Sequence, residues 1–171
     1  TRKQTMKPKL PFLKDGIAQI AFVVKDLDET VKNFYEWFGI GPWNFYTYRK
    51  PFVPSMTRNG EPAEYAMRLA LSNVGELRIE LIEQKEGDTV YQEFIDKHGY
   101  GIHHLGIAVD DIDEALGQAK EAGIAMTMDG SGFGLDGDGQ YAYLDTEQLV
   151  GTTLELISRP KRRQDPEKIY P

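Results

Sequence analysis

No cysteine occurs in the 171 residues. Disulfides, thiolate metal centres and cysteine nucleophiles are therefore excluded, and an intracellular, cytoplasmic address is the default expectation. Histidine is scarce too, with three in the chain, so a site that needs many imidazoles cannot be built. Basic residues are in the minority: 20 Lys+Arg face 27 Asp+Glu, for a net charge of −7. That balance argues against a nucleic-acid partner, which calls for a basic face, but it leaves room for a local basic pocket that takes an anionic small molecule. No apolar run approaches the roughly 20 residues of a membrane span, so no membrane partner is expected. Thr1–Lys9 is polar and basic with no apolar stretch behind it, which predicts no secretory signal, and the start at Thr1 rather than Met suggests trimming. What remains is 40% hydrophobic and 27% charged, the composition of a soluble globular protein with one domain or two small halves on one core.

An internal repeat organises the chain. Ile17–Ile40 and Ile102–Ile124 align with a shift of 85 positions, which pairs Gln19 with His104, Val24 with Val109, Asp26 with Asp111 and Glu29 with Glu114. A second echo follows, where Ile79-Glu80-Leu81-Ile82 answers Leu154-Glu155-Leu156-Ile157. Each copy opens on a β-branched apolar run and then an N-cap pattern, Asp26 or Asp111 with a glutamate three residues on. Leu27, Val31, Phe34 and Phe38 make one helical face, and Ile112, Leu116 and Ala119 another. Gly39 and Gly123 stand where a helix end favours positive φ.

The remaining runs read as strands: Trp43–Tyr48, Tyr65–Ser72 and Leu77–Glu83 in the first copy, Ala125–Met128, Gln140–Leu144 and Thr152–Ile157 in the second. A helix over about Thr89–Lys97, started by Asp88 and stopped by Gly99, joins them. Pro51–Pro62 and the glycine-rich Asp129–Gly139 read as loops. The organisation is a βαβββ module at 16–84, a linker helix at 85–100, a second βαβββ module at 101–158 and a surface tail at 159–171.

Side chains alternate across a strand. Gln19 therefore shares a face with Ala21 and Val23, and His104 with Gly106 and Ala108, while the bulkier apolar face packs on the helix. Glu80 and Glu155 oppose leucine and isoleucine in the closing strands. Gln19, Glu80, His104 and Glu155 thus fall on one inner face at matched repeat positions. One imidazole and three oxygen donors suit one divalent ion, Zn²⁺, Ni²⁺, Co²⁺ or Mn²⁺. His103 takes the opposite facing and reads as structural, and His98 as a solvated last-turn residue. The exposed sheet edge and the aromatics Trp43 and Phe45 predict a homodimer. Gly130, Gly132 and Gly134 neither follow a strand nor open a helix, so they make no dinucleotide fingerprint.

The paired strand–helix openings, the Gly101-Ile102-His103-His104 step and the two closing strands resemble the vicinal oxygen chelate superfamily, over roughly residues 16–158. That superfamily includes glyoxalase I, methylmalonyl-CoA epimerase, extradiol dioxygenases and bleomycin-resistance proteins. The stretch Glu76–Asp113 is most similar to methylmalonyl-CoA epimerase, while a glutamine-first ligand set resembles glyoxalase I. The resemblance implies an α+β fold in which two modules form an eight-stranded mixed sheet, a cup around one metal held by Gln19, Glu80, His104 and Glu155. It implies an isomerase or epimerase that moves a proton at a carbon alpha to a carbonyl through an enediolate, with Glu155 as base and Glu80 as its counterpart. The substrate it implies is a small molecule, with an acyl-CoA as candidate. A lactoylglutathione lyase and a non-catalytic, drug-trapping binding protein are the alternatives. Two departures stand out: Gln19 replaces the epimerases' opening histidine, and the third strand offers Met67, Arg68 and Leu69 where some epimerases carry a glutamate. Extradiol chemistry wants two histidines and a carboxylate, and only His104 is suitably placed.

Overall fold

The computed structural model describes residues 6–171, so residues 1–5 of the Thr1–Lys9 segment read as carrying no secretory signal lie outside the description. The first module runs β1 (Gln19–Val23), α1 (Leu27–Phe38), β2 (Trp43–Tyr48), β3 (Ser55–Arg58), β4 (Glu61–Pro62), β5 (Ala66–Val74) and β6 (Leu77–Glu86). Helix α2 (Val90–His98) leads to the second: β7 (Gly101–Ala108), α3 (Ile112–Glu121), β8 (Met126–Phe133), β9 (Gly139–Leu144), α4 (Glu147–Val150) and β10 (Thr153–Ser158). A last short strand, β11 (Lys168–Tyr170), ends the chain. None of the described helices is long and apolar enough to cross a membrane.

All strands join one curled mixed sheet in the order β11-β2-β5-β6-β1-β7-β10-β9-β8-β3-β4. The repeat is visible in that order. Each module's first strand pairs in parallel with its last, β1 with β6 and β7 with β10, through a helical crossover as parallel pairing requires. The two modules meet where β1 and β7 run antiparallel, so the cup closes within one chain.

The local signals behind this are simple. Asp26 Oδ1 accepts from Glu29 N at 3.0 Å, and Asp111 Oδ1 accepts from Glu114 N at 3.0 Å, so both caps form as the spacing predicts. Gly39 and Gly123 adopt φ of 67° and 82°. Alternation then sorts the strand side chains. Phe22 and Val24 pack toward α1 with Leu27, Val31 and Trp43, while Leu105, Ile107 and Val109 pack toward α3. Ala21, Val23, Tyr46, Tyr48, Tyr141 and Tyr143 fill the inside of the cup.

Several elements differ from the expectation. Thr89 rather than Asp88 caps α2, its hydroxyl accepting from Gln92 N at 3.1 Å. The Pro51–Pro62 segment contains β3 and β4, and β8 runs on through Phe133 into the glycine-rich stretch. The cause is tertiary: β3 of the first module pairs with β8 of the second, which carries the sheet across the module boundary and gives both segments a partner that no local pattern announces. Phe38 faces water with Trp37, beyond the reach of the sheet. The two aromatics behind the homodimer expectation are placed differently. Trp43 and Phe45 are fully buried, and the edge of β2 is covered by β11, where Lys168 pairs with Phe45 and Tyr170 with Trp43. The tail is thus a strap stitched to the sheet rather than a loose surface segment.

Candidate metal centre and active site

The four central strands, β6, β1, β7 and β10, each send a polar side chain from the repeat into the cup. Glu80, Gln19, His104 and Glu155 come together there with 8%, 0%, 0% and 3% of their surfaces exposed. Register explains the convergence. Ala21 stands opposite both Glu80 and His104, and Gly106 stands opposite both Gln19 and Glu155. These small residues leave the space. A Cβ on Gly106 would lie 2.9 Å from the Gln19 Cβ and 2.7 Å from Ile157 Cδ1, closer than packed carbons tolerate.

One nitrogen or oxygen from each of Glu80, His104 and Glu155 lies within 4.8 Å of the others. His104 Nε2 is 3.7 Å from Glu80 Oε1 and 3.5 Å from Glu155 Oε2. Two carboxylates and an imidazole, buried and converging, form a donor set that fits a divalent cation. Gln19 is placed differently. Its Oε1 accepts from Arg78 Nε at 2.6 Å, and a guanidinium can only donate. The amide NH₂ therefore faces the cluster, 3.2 Å from Glu80 Oε1, 3.2 Å from Glu155 Oε1 and 3.5 Å from His104 Nε2. In this orientation Gln19 satisfies the carboxylates as a donor, whereas a ligand would present its oxygen.

The electrostatics follow from burial. Removal from water, with the charge of Glu155 alongside, pushes the Glu80 carboxyl up to about 7. Burial, with His104 beside it, drives His103 down to about 2, so it is neutral. His103 Nδ1 lies 2.7 Å from His104 Nδ1. If His104 Nε2 is to face the cluster as an electron-pair donor, its Nδ1 carries the proton and donates it to His103, the outer-partner arrangement that fixes a ligand's tautomer. This corrects the facing expected for His103. The β1–β7 register skips from His104 to Ile102, and the bulge turns both imidazoles inward. His98 is exposed as expected, and bonds Glu147 Oε1 at 2.8 Å.

Aromatic rings wall the cup. Tyr143 lies edge-on to His104 with ring centroids 4.9 Å apart, and its hydroxyl meets that of Tyr91 at 2.6 Å. Tyr65 donates to the Asp129 carbonyl at 2.7 Å, so the Tyr141 hydroxyl donates in turn to Tyr65 at 2.6 Å. The cavity left between Tyr48, Arg78, Glu80, Tyr141, Tyr143 and Arg163 measures about 20 Å³, room for an ion or a water. The aromatic stretch Trp43–Tyr48 splits between two roles by alternation, with Trp43 and Phe45 under α1 and Tyr46 and Tyr48 in the cup wall.

A model of the glyoxalase/bleomycin resistance protein/dioxygenase superfamily matches residues 18–143. The chain belongs to that superfamily. No curated protein matches it in sequence. Among solved structures, methylmalonyl-CoA epimerase from Mycobacterium tuberculosis is similar at 19% identity and a TM-score of 0.63, over 92% of this chain and 95% of that one. Streptomyces coelicolor methylmalonyl-CoA epimerase in complex with 2-nitronate-propionyl-CoA is similar at 19% identity and a TM-score of 0.60, over 86% and 96%. A hypothetical protein from Bacillus halodurans is similar at 20% identity and a TM-score of 0.58, over 88% and 98%. At such identities the likeness is one of fold.

Sequence reasoning missed Arg78 and the cup-wall tyrosines Tyr141 and Tyr143 of β9. Arg78 had a signal, because it lies two positions before Glu80 and so on the same strand face. Arg163 reaches the cup only by the strap's path.

Proposed function

We propose that this superfamily member is a divalent-metal-dependent isomerase that moves a proton at a carbon next to a carbonyl. The observation that carries the reading is the buried convergence of Glu80, His104 and Glu155 at the floor of an aromatic cup. Those three side chains would hold one Zn²⁺, Ni²⁺, Co²⁺ or Mn²⁺. Such an ion, when bound, polarises a carbonyl and offsets the negative charge that develops as the α-proton leaves. The chain's own groups do the rest. Glu155 on β10 takes the α-proton, and Glu80 on β6, at the pseudo-symmetric position and protonated at the start of the step, delivers its own proton to the opposite face. His104, oriented by His103, stays in place as a neutral donor of its Nε2 lone pair. The tyrosine wall keeps bulk water from the reacting carbon. An acyl-CoA thioester is the candidate substrate, by analogy with the epimerase whose structure contains 2-nitronate-propionyl-CoA.

The test is α-proton exchange in D₂O. Metal-loaded protein with methylmalonyl-CoA is expected to deuterate the α-carbon, and Glu155→Gln to lose far more of that exchange than of its metal. Conversion of the methylglyoxal–glutathione adduct to lactoylglutathione, without thioester exchange, would replace the epimerase reading with the lyase. A second reading has one observation in its favour: the Gln19 amide already bonds both carboxylates, as in a self-satisfied cup that binds without metal. Elemental analysis of protein purified without chelator separates the two, because about one ion per chain supports the isomerase. No ion, with no uptake of added Co²⁺, Ni²⁺, Mn²⁺ or Zn²⁺, supports the binding protein.

A further inference from the structure

Past Ile157 no described residue is buried. The strap, Arg159–Tyr170, nevertheless crosses the mouth of the cup. Pro160 and Arg163 line the cavity that also holds Glu80 and Glu155. Arg163 lies 5.1 Å above the Tyr46 ring and donates from Nη1 to the Tyr48 hydroxyl at 2.8 Å. Tyr46 and Tyr48, together with Met67 opposite Tyr48 in the sheet, are buried beneath it. The strap thus closes the cup while adding no core residue of its own.

Its attachments are polar and lie at the surface. Toward the β8–β9 loop of the second module, the Arg162 carbonyl accepts from Leu135 N at 2.8 Å, Gln164 Oε1 accepts from Gly134 N at 3.0 Å, and Lys161 N donates to Asp138 Oδ2 at 3.2 Å. Toward β2 of the first, the Gln164 carbonyl accepts from the Tyr46 hydroxyl at 3.3 Å and Glu167 N donates to the Phe45 carbonyl at 2.9 Å. Three residues of β11 then pair with β2. The ion pairs of Arg162 with Asp136 and Lys168 with Asp28 are exposed and hold little in water. The closed position is still a definite one. Gly134 has a φ of 89°, and a Cβ there would run into the Pro160 ring, so strap and loop fit closely. A segment with few buried apolar contacts and solvent-exposed backbone bonds opens well before the core does.

We propose that Arg159–Tyr170 is a lid that gates the cup. It opens as a unit: β11 peels from β2, and the strap swings about the point where the chain leaves β10 at Ser158. Closed, it leaves a cavity of about 20 Å³, and an organic ligand reaches Glu80 and Glu155 when the strap lifts. Opening uncovers Tyr46, Tyr48 and Met67 and leaves the pairing of β6, β1, β7 and β10 intact. The lid is independent of the isomerase reading, since a cup that catalyses and a cup that only binds both need an entrance.

The probe is chloramine-T, an organic oxidant of methionine, applied to the folded full-length protein and read residue by residue by mass spectrometry. Met67 lines the cavity, Met6 is exposed, and Met56 and Met128 are buried away from it. Met67 is expected to oxidise more slowly than Met6 and about tenfold or more faster than Met128, since its exposure needs the strap alone to open. Asn44→Cys with Ile169→Cys sets two cysteines at facing positions of β2 and β11, in a chain that has none of its own. Bridging them with dibromobimane should slow Met67 toward the rate of Met128. The same variant with each cysteine capped by iodoacetamide should oxidise at least as fast as wild type. Arg163→Ala with Gln164→Ala, which removes strap contacts and no core side chain, should speed Met67 and leave Met128 unchanged. Hydrogen exchange gives a measurement that needs no bridge: the amides of Gly134, Leu135 and Glu167, bonded across the strap, should exchange as one group and be about a hundredfold or more less protected than those of β1 and β7. Equal Met67 oxidation in bridged and capped protein would overturn the lid, because the oxidant would then pass a closed strap. Met67 as protected as Met128 in wild type, or strap amides as slow as those of β1, would overturn it as well, because the strap would then move only with global unfolding.

Discussion

Glu80→Gln should make the metal-free protein more stable at pH 8 and the metal-loaded protein less so. The carboxyl is 8% exposed and is pushed from its ordinary 4.5 up to about 7, chiefly by burial and then by Glu155. The folded state therefore holds a proton that the unfolded state releases, and stability must fall as pH rises from about 4.5 to about 7. At about 1.4 kcal/mol for each tenfold in the proton equilibrium, the loss is about 3 kcal/mol by pH 8. Glutamine keeps the shape and still accepts from Gln19, but it has no charge to bury. Relative to wild type, the variant should match at pH 5 and gain about 3 kcal/mol at pH 8, or roughly 6–12 °C in Tm for a chain of this size. Saturating metal reverses the order. A thousandfold excess over Kd adds about 4 kcal/mol to a protein that binds it, and the variant has lost a ligand. Urea denaturation at pH 5, 6, 7 and 8, in chelator and in excess Co²⁺, measures all of this. A wild type whose metal-free stability is level from pH 5 to pH 8, with Glu80→Gln destabilised equally throughout, would refute the reasoning.

Gln19→Ala is expected to keep about one metal ion per chain, with affinity weakened by about tenfold or less, as for an outer hydrogen-bond partner. A loss as complete as that of His104→Ala, read by equilibrium dialysis, would mean that the amide turns over and ligates through oxygen. Gly130→Ala should cost about 1–3 kcal/mol in urea denaturation through overpacking, because the added Cβ would run into the Tyr141 hydroxyl and break the chain from Tyr141 through Tyr65 to the Asp129 carbonyl. A variant as stable as wild type would show that the tyrosine wall has slack.

Most of the fold and four polar residues of the site are legible in the repeat. The reason is that strand alternation, helix caps and a shift of 85 positions are one-dimensional signals. Once Ala21 and Gly106 are read as small residues beside Gln19 and His104, the inner face follows from period two alone. The bulge that turns His103 inward is not such a signal, because it depends on how β1 and β7 slide into register. The direction of the Gln19 amide is equally beyond the sequence, since it is set by Arg78 on a neighbouring strand. So are the β3–β8 pairing across modules and the course of the strap that pairs β11 with β2 and carries Arg163 into the cup. The sequence by itself determined which side chains share a face, because that depends on neighbours in the chain. Only the tertiary structure decided which faces meet and in what orientation their polar atoms point, because those depend on partners 59 to 136 residues away.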